Sequence, residues 1–276
     1  MSHPELISNQ DSTGRAADDR RGVERGSRST RPLDRLPQAL PGLSVVLPCV
    51  DEEANVARAV RAALATAARC AHEYEVIVVD DGSSGGTARV AAELAERDPH
   101  VRLLLHPGNR GYGAALRTGI EAARLGWVLI TDADLQFDLR ALEDFVPATR
   151  DAELVVGWRV LRSDGLHRRL NAALWNRLVT TVFRLPMRDV DCAFKLIRRE
   201  LLVDAGLSCG GAAISTELLV KTLAAGARIE EIGVRHRPRV AGRSSGADPR
   251  VVLRALVELA CLRRAVGPLP RGRRAA

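Results

Sequence analysis

The sequence predicts an α/β domain built on a mostly parallel sheet flanked by helices. Three observations predict it. Short, unbroken apolar runs alternate with helix-period segments. Acidic and glycine-rich clusters recur directly after those runs. Aromatic residues make up only 3% of the chain, so Val, Leu and Ala must fill the core. Strands of a parallel sheet are buried on both faces and read as continuous apolar runs, and the helices between them supply right-handed crossovers.

The elements follow in order. LSVVLP (43–48) is a first strand, followed by an Ala-, Val- and Leu-rich helix over 53–69. YEVIVVD (74–80) is a second strand, then a Gly/Ser turn and a helix over about 87–97. VRLLLH (101–106) leads into a helix from Tyr112 to Leu125, and WVLITD (127–132) into one over about 139–149. ELVVGW (153–158) is a fifth strand. From Leu166 to about Ala227 the pattern changes to longer helices with an irregular piece around Asp189–Lys195, before a strand over 228–236. Asp248-Pro249 supplies an N-cap and a proline at the first helical position, and opens an amphipathic helix to about Leu262 whose apolar face is broken by Arg254 and Glu258.

The expected domain plan is therefore a single folded domain over 41–247, preceded by an extension over 1–40 and followed by a helix and basic tail over 248–276. The extension is rich in Arg, Asp, Ser and Gly and is expected to be disordered, because it buries too little apolar surface to offset its ordering entropy.

All but two of the 41 basic residues are Arg, the exceptions being Lys195 and Lys221. Eleven Arg face only Asp248 and Glu258 from Arg235 onward, so a basic end suits an anionic membrane surface or a phosphate ligand. It has no interleaved aromatics, which argues against nucleic acid. The five cysteines are widely spaced with no CxxC pair, which argues against a disulfide framework and a zinc site and leaves them as buried apolar residues in a reducing compartment. No apolar signal region opens the sequence, and no run of about 18 apolar residues occurs. The expected location is cytoplasmic, peripheral on the cytoplasmic face of a membrane.

Ligands of an open parallel sheet gather at the carboxyl ends of its strands. Here strand one ends in Pro48-Cys49-Val50-Asp51-Glu52-Glu53, strand two in Asp80-Asp81-Gly82-Ser83-Ser84 and strand four in Asp132-Ala133-Asp134-Leu135-Gln136. Each cluster alone is compatible with turn and cap chemistry. Three acidic clusters on one rim repel one another unless a cation compensates them. Hard cations such as Mg²⁺ or Mn²⁺ take oxygen ligands and share them with substrate phosphates. No GxxxxGK[ST] loop is present, and Gly108–Gly113 lacks the GxGxxG spacing of a dinucleotide site. His236 has no partner at metal or triad spacing and is read as structural.

Taken together and in order, SVVLPCVDEEANV, VIVVDDGSSGGT, NRGYGAALRTGI, TDADLQFD, VVGWR, RDVDCAFKLIRRELL, ISTELLVK and RHRPRVAGRSS resemble the family 2 glycosyltransferases of GT-A fold. Within them they are most similar to the branch that loads sugars onto polyprenyl phosphates, the dolichyl-phosphate mannosyltransferase type. The resemblance spans about residues 43–245. It implies a nucleotide-sugar donor (GDP- or UDP-linked), a polyprenyl phosphate acceptor and Mg²⁺ or Mn²⁺. Pro48, Glu52, Asp80, Asp81, Arg117, Asp132 and Ala133 would bind the donor, with Asp80 or Asp81 near the base or ribose. Asp132, Asp134 and Gln136 would hold the metal and diphosphate. Arg159, Arg168 and Arg239 would receive the acceptor phosphate, Arg239 from a loop closing over the site; Asp134 and Arg159 would carry the catalysis. Glu217 follows the family pattern in ISTE. The sequence departs from the pattern at Val50-Asp51, where an aromatic and Asn are usual, and at Gly85, where an Asp is common.

Two other functions are compatible with the sequence. A glycan or natural-product hydroxyl acceptor would need a base, for which Asp138, Asp189, Asp191 and Glu217 are the candidates. A non-catalytic nucleotide-sugar-binding protein is the third reading, against which the complete acidic set stands.

Overall fold

A computed structural model describes Leu36 and residues 38–160, 166–239 and 249–266, with side chains from 169 and from 253 in the helices that open at 166 and 249. Strand β1 (Leu40–Cys49) leads to helix α1 (Glu53–Cys70). Then come β2 (Ala71–Asp80), α2 (Thr87–Arg97), β3 (Val101–Leu105), α3 (Tyr112–Ala122) and β4 (Trp127–Ile130). A 3₁₀ turn over Leu139–Ala141 runs into α4 (Leu142–Ala148), followed by β5 (Leu154–Arg159) and α5 (Leu166–Phe183). The chain continues through β6 (Lys195–Arg198), α6 (Arg199–Asp204), α7 (Ile214–Ala224), β7 (Ile229–Val234) and α8 (Pro249–Val266). The expected N-terminal extension lies outside the described residues up to 35, as do residues 240–248 and the basic tail from 267.

Among the described residues seven strands form one sheet in the order β3-β2-β1-β4-β6-β5-β7. The β1, β2, β3 and β4 pairings are parallel, as is β5 with β7. Strand β6 runs antiparallel between β4 and β5. It corrects the sequence reading, in which Asp189–Lys195 is irregular and the next strand is the one over 228–236. With only four residues, two of them charged, β6 has neither the length nor the unbroken apolar run that marks its neighbours.

Alternate residues of each strand enter opposite cores, as a two-residue period requires. Val45, Leu47, Val76 and Val78 join α1 and α4 on one face. Val46, Ile77 and Val79 join α3, α5, α7 and α8 on the other. Helix α8 packs on the domain through Ala255, Leu259 and Leu262 and runs a turn beyond the expected end at Leu262. Helix α3 stops at Ala122 rather than Leu125. Four cysteines are buried as expected, whereas Cys261 is exposed on α8.

Candidate active site

The sheet register brings the acidic clusters together. Cys49 pairs with Asp80 across β1 and β2, and Val46 with Ile130 across β1 and β4. Residue 132 therefore leaves β4 level with Pro48, which is itself buried at the end of β1. Asp80, Asp81, Asp134 and Glu52 are all buried, and so is Ala133.

Leu135 adopts φ 61°, in the left-handed region that costs a branched residue roughly 1–2 kcal/mol. That turn aims the amide of Gln136 back at Asp134 Oδ1, at 3.0 Å. The side-chain amide of Gln136 donates to the Arg237 carbonyl at 3.2 Å. Arg239 bridges two strand ends: its Nη2 lies 2.7 Å from Asp134 Oδ2 and its Nη1 3.1 Å from Glu52 Oε1. It thus lies as a cation between two carboxylates at the strand ends.

Burial, then the charge of Asp134, push the carboxyl of Asp132 up to about 6, against the opposing pull of Tyr112, Lys195 and Arg239. Its Oδ1 is buried with no hydrogen-bond partner. An orphaned carboxylate oxygen beside a second carboxylate fits a hard divalent cation. Among the described residues no group of three His, Cys, Asp or Glu side chains that could hold a metal ion is formed.

The two aspartates after β2 have different roles. Asp81 is fully engaged: it accepts from the Arg110 and Gly111 amides at 2.9 and 2.8 Å and lies 2.6 Å from His106 Nδ1. It fixes the loop that opens α3. Asp80 accepts the amide and hydroxyl of Ser83 through Oδ1 alone, which leaves Asp80 as the aspartate with capacity for a ligand. Arg117 donates to the Ser208 carbonyl at 2.8 Å. Arg159 forms a two-pronged pair with Asp189, with Nε and Nη2 each 2.7 Å from a carboxylate oxygen. Arg168 lies on α5, but its side chain is outside the described residues. His236 packs edge-on against Phe137 at 5.3 Å, in keeping with a structural role.

Three of the four candidate bases are tied up. Asp138 pairs with Arg140 and Arg237 at 3.1 and 2.7 Å, and the Arg140 contact holds its carboxyl below the usual range. Asp189 holds Arg159. Glu217 accepts the amides of Ser208 and Cys209, the Ser208 hydroxyl and Lys221. Burial disfavours its charge, but those donors outweigh it and hold the carboxyl at about 2. Asp191 differs: burial raises its carboxyl, against the pull of Lys195 and Arg159, and Trp175 donates to it.

Sequence reasoning missed Tyr112, whose hydroxyl hydrogen-bonds Asp132, and Lys195, buried at the start of β6 with its ammonium on the Cys192 carbonyl. A signal for Lys195 was available, since it is one of only two lysines in an arginine-rich chain. Tyr112 carried none, because its partner is a strand away.

Residues 44–206 match the model of glycosyl transferase family 2. The chain belongs to that family. The chain is 30% identical over 212 residues to the undecaprenyl-phosphate 4-deoxy-4-formamido-L-arabinose transferase of Klebsiella pneumoniae, covering 76% of this chain and 64% of that one. It is 31% identical over 204 residues to the dodecaprenyl-phosphate galacturonate synthase of Rhizobium johnstonii, covering 72% of this chain and 60% of that one. The chain thus spans just under two thirds of the length of these curated relatives. The fold is GT-A. Mycobacterium tuberculosis glucosyl-3-phosphoglycerate synthase, in complex with Mn²⁺, UDP and phosphoglyceric acid, superposes with a TM-score of 0.64 at 19% identity, over 83% of this chain and 80% of that one.

Proposed function

We propose that this family 2 glycosyltransferase is an inverting enzyme that moves a sugar from a nucleotide-sugar donor to a polyprenyl phosphate, releasing a nucleoside diphosphate. The observation that carries the acceptor class is the engagement of three of the four candidate bases, Asp138, Asp189 and Glu217, in ion pairs, which leaves a hydroxyl acceptor Asp191 alone. A hydroxyl acceptor needs a free base. A phosphate monoester has a second pKa of about 6 and is already largely dianionic at pH 7, so it needs only positioning and charge compensation. The named activities of the Klebsiella and Rhizobium relatives support the same class.

In this reading Pro48, Glu52 and Asp80 line the nucleoside pocket, and Asp81 holds the loop that opens α3. Arg117 sits beside the donor. Asp132 and Asp134, with Gln136 next to them, hold Mg²⁺ or Mn²⁺, which when bound offsets charge on the departing diphosphate. Asp189 takes Nε and Nη2 of Arg159, leaving its Nη1 edge to the acceptor phosphate. Arg168 and Arg239 contribute further positive charge, Arg239 by leaving Asp134 and Glu52 as ligands arrive.

Peripheral contact with an anionic membrane belongs to the same proposal. Leu170, Leu174 and Leu178 form a stripe on α5 that is 66%, 68% and 41% exposed. That helix contains no acidic residue, and Leu253, Leu256 and Val257 of α8 are exposed as well. Leucines with arginines and no acids suit an anionic bilayer interface. Among the described residues no helix is long and apolar enough to cross a membrane.

The test is a panel of GDP- and UDP-sugars with a short polyprenyl phosphate and Mg²⁺ or Mn²⁺, scored by product mass. A lipid-linked sugar is expected with at least one donor. Transfer to a hydroxyl acceptor but never to the lipid phosphate would replace this reading with one in which Asp191 is the base.

A further inference from the structure

Of the charged residues on helix α8, Arg254 and Glu258 break its apolar face, and both lie against Gly210 and Gly211. Glu258 Oε1 accepts the Gly211 amide at 3.1 Å and the Arg254 Nε–H at 3.0 Å. The Glu258 side chain is only 16% exposed. Gly211 belongs to the loop between α6 and α7, which is held at its other end by Glu217 through the Ser208 and Cys209 amides.

The loop presses against the first turn of α3. The Gly113 amide donates to the Gly210 carbonyl at 3.1 Å, and Arg117 donates to the Ser208 carbonyl at 2.8 Å. The approach leaves no room for a side chain: a Cβ on Gly113 would lie 2.5 Å from the Cys209 carbonyl oxygen. A Cβ on Gly111, which also needs its φ of 99°, would lie 2.7 Å from that of Gly210. Tyr112 stands between these two glycines and hydrogen-bonds Asp132.

We infer that Glu258, steadied by Arg254, is a positioning residue for the nucleotide–metal site: it pins the 208–211 loop on α3 and thereby sets Tyr112 against Asp132 and Arg117 beside the donor pocket. The inference rests on the reading that this site takes a nucleotide donor. It makes α8 part of the catalytic domain's working machinery and gives any movement of α8 a direct route to the site.

The test measures binding of UDP and of GDP, each with Mn²⁺, to the full chain by calorimetry. Glu258→Ala is expected to raise the dissociation constant about tenfold, the loss that one hydrogen bond to a charged group carries. Glu258→Gln keeps an acceptor for the Gly211 amide and is expected to lose only about threefold. Leu262→Ala is the packing control: it removes buried α8 contacts without touching the loop, and is expected to lower Tm while leaving binding as in wild type. Amide exchange at 111–113 and 208–211 should speed up in Glu258→Ala and Glu258→Gln but not in Leu262→Ala. Wild-type binding in both Glu258 variants, or equal weakening by Leu262→Ala, would overturn the inference alone. A wild-type chain that binds neither nucleotide would remove the transferase reading and this inference with it.

Discussion

Replacing Glu217 by Gln separates a structural acid from a catalytic base. Its carboxylate is 1% exposed and holds four donors, among them Lys221 at 2.8 Å. Those donors lower its carboxyl from 4.5 to about 2. A shift of that size corresponds to about 3 kcal/mol favouring the folded state. Because the folded value is depressed, this stability is fully present above the unfolded value near 4.5 and is lost as pH falls toward 2. Glu217→Gln keeps the shape but not the charge, so at pH 7 it should cost about 3 kcal/mol. The gap to wild type should shrink to less than half of that, about 1.4 kcal/mol, by pH 3. Urea unfolding followed by circular dichroism at both pH values measures it. A variant as stable as wild type at pH 7 but devoid of transfer would refute the argument, since that is how a general base behaves.

Three further outcomes follow from the site and the surface. Asp134→Ala should abolish transfer while the protein stays folded; near-wild-type turnover would sink the metal assignment. In the wild type Mn²⁺ affinity should fall as pH drops below about 6, where protons compete for the raised carboxyl of Asp132, and a flat profile between pH 5 and 7.5 would contradict that role for Asp132. The double change Leu170→Ser and Leu174→Ser should weaken binding to vesicles containing anionic lipid without lowering Tm, because both side chains are more than 60% exposed. Undiminished vesicle binding would take α5 out of the membrane-contact proposal.

Much of the fold was legible in the sequence because its signals are local. The runs at 45–48, 76–79 and 127–130 are apolar throughout, and each lies in a strand at residues buried on both faces. Turn glycines and acids marked the carboxyl ends of β1, β2 and β4, where parallel topology obliges ligands to gather. Strand β6 was hidden because its stability comes from the two neighbours it pairs with rather than from its own four residues.

The roles within the site divided along the same line. Residue type and position placed Asp132 and Asp134 after a buried strand, and the ordered motifs placed the chain in its family. Which acids are free and which are committed depends on partners far away in sequence: Asp189 with Arg159, Glu217 with the loop at 208–209, Asp134 with Arg239, 105 residues away. Local propensity and periodicity are set by residues a few positions apart, and the sequence carries them directly. Hydrogen-bond satisfaction and burial are set by whatever the folded chain brings within about 3 Å, so only the tertiary structure turned three of four candidate bases into struts and tied helix α8 to the loop at 208–211.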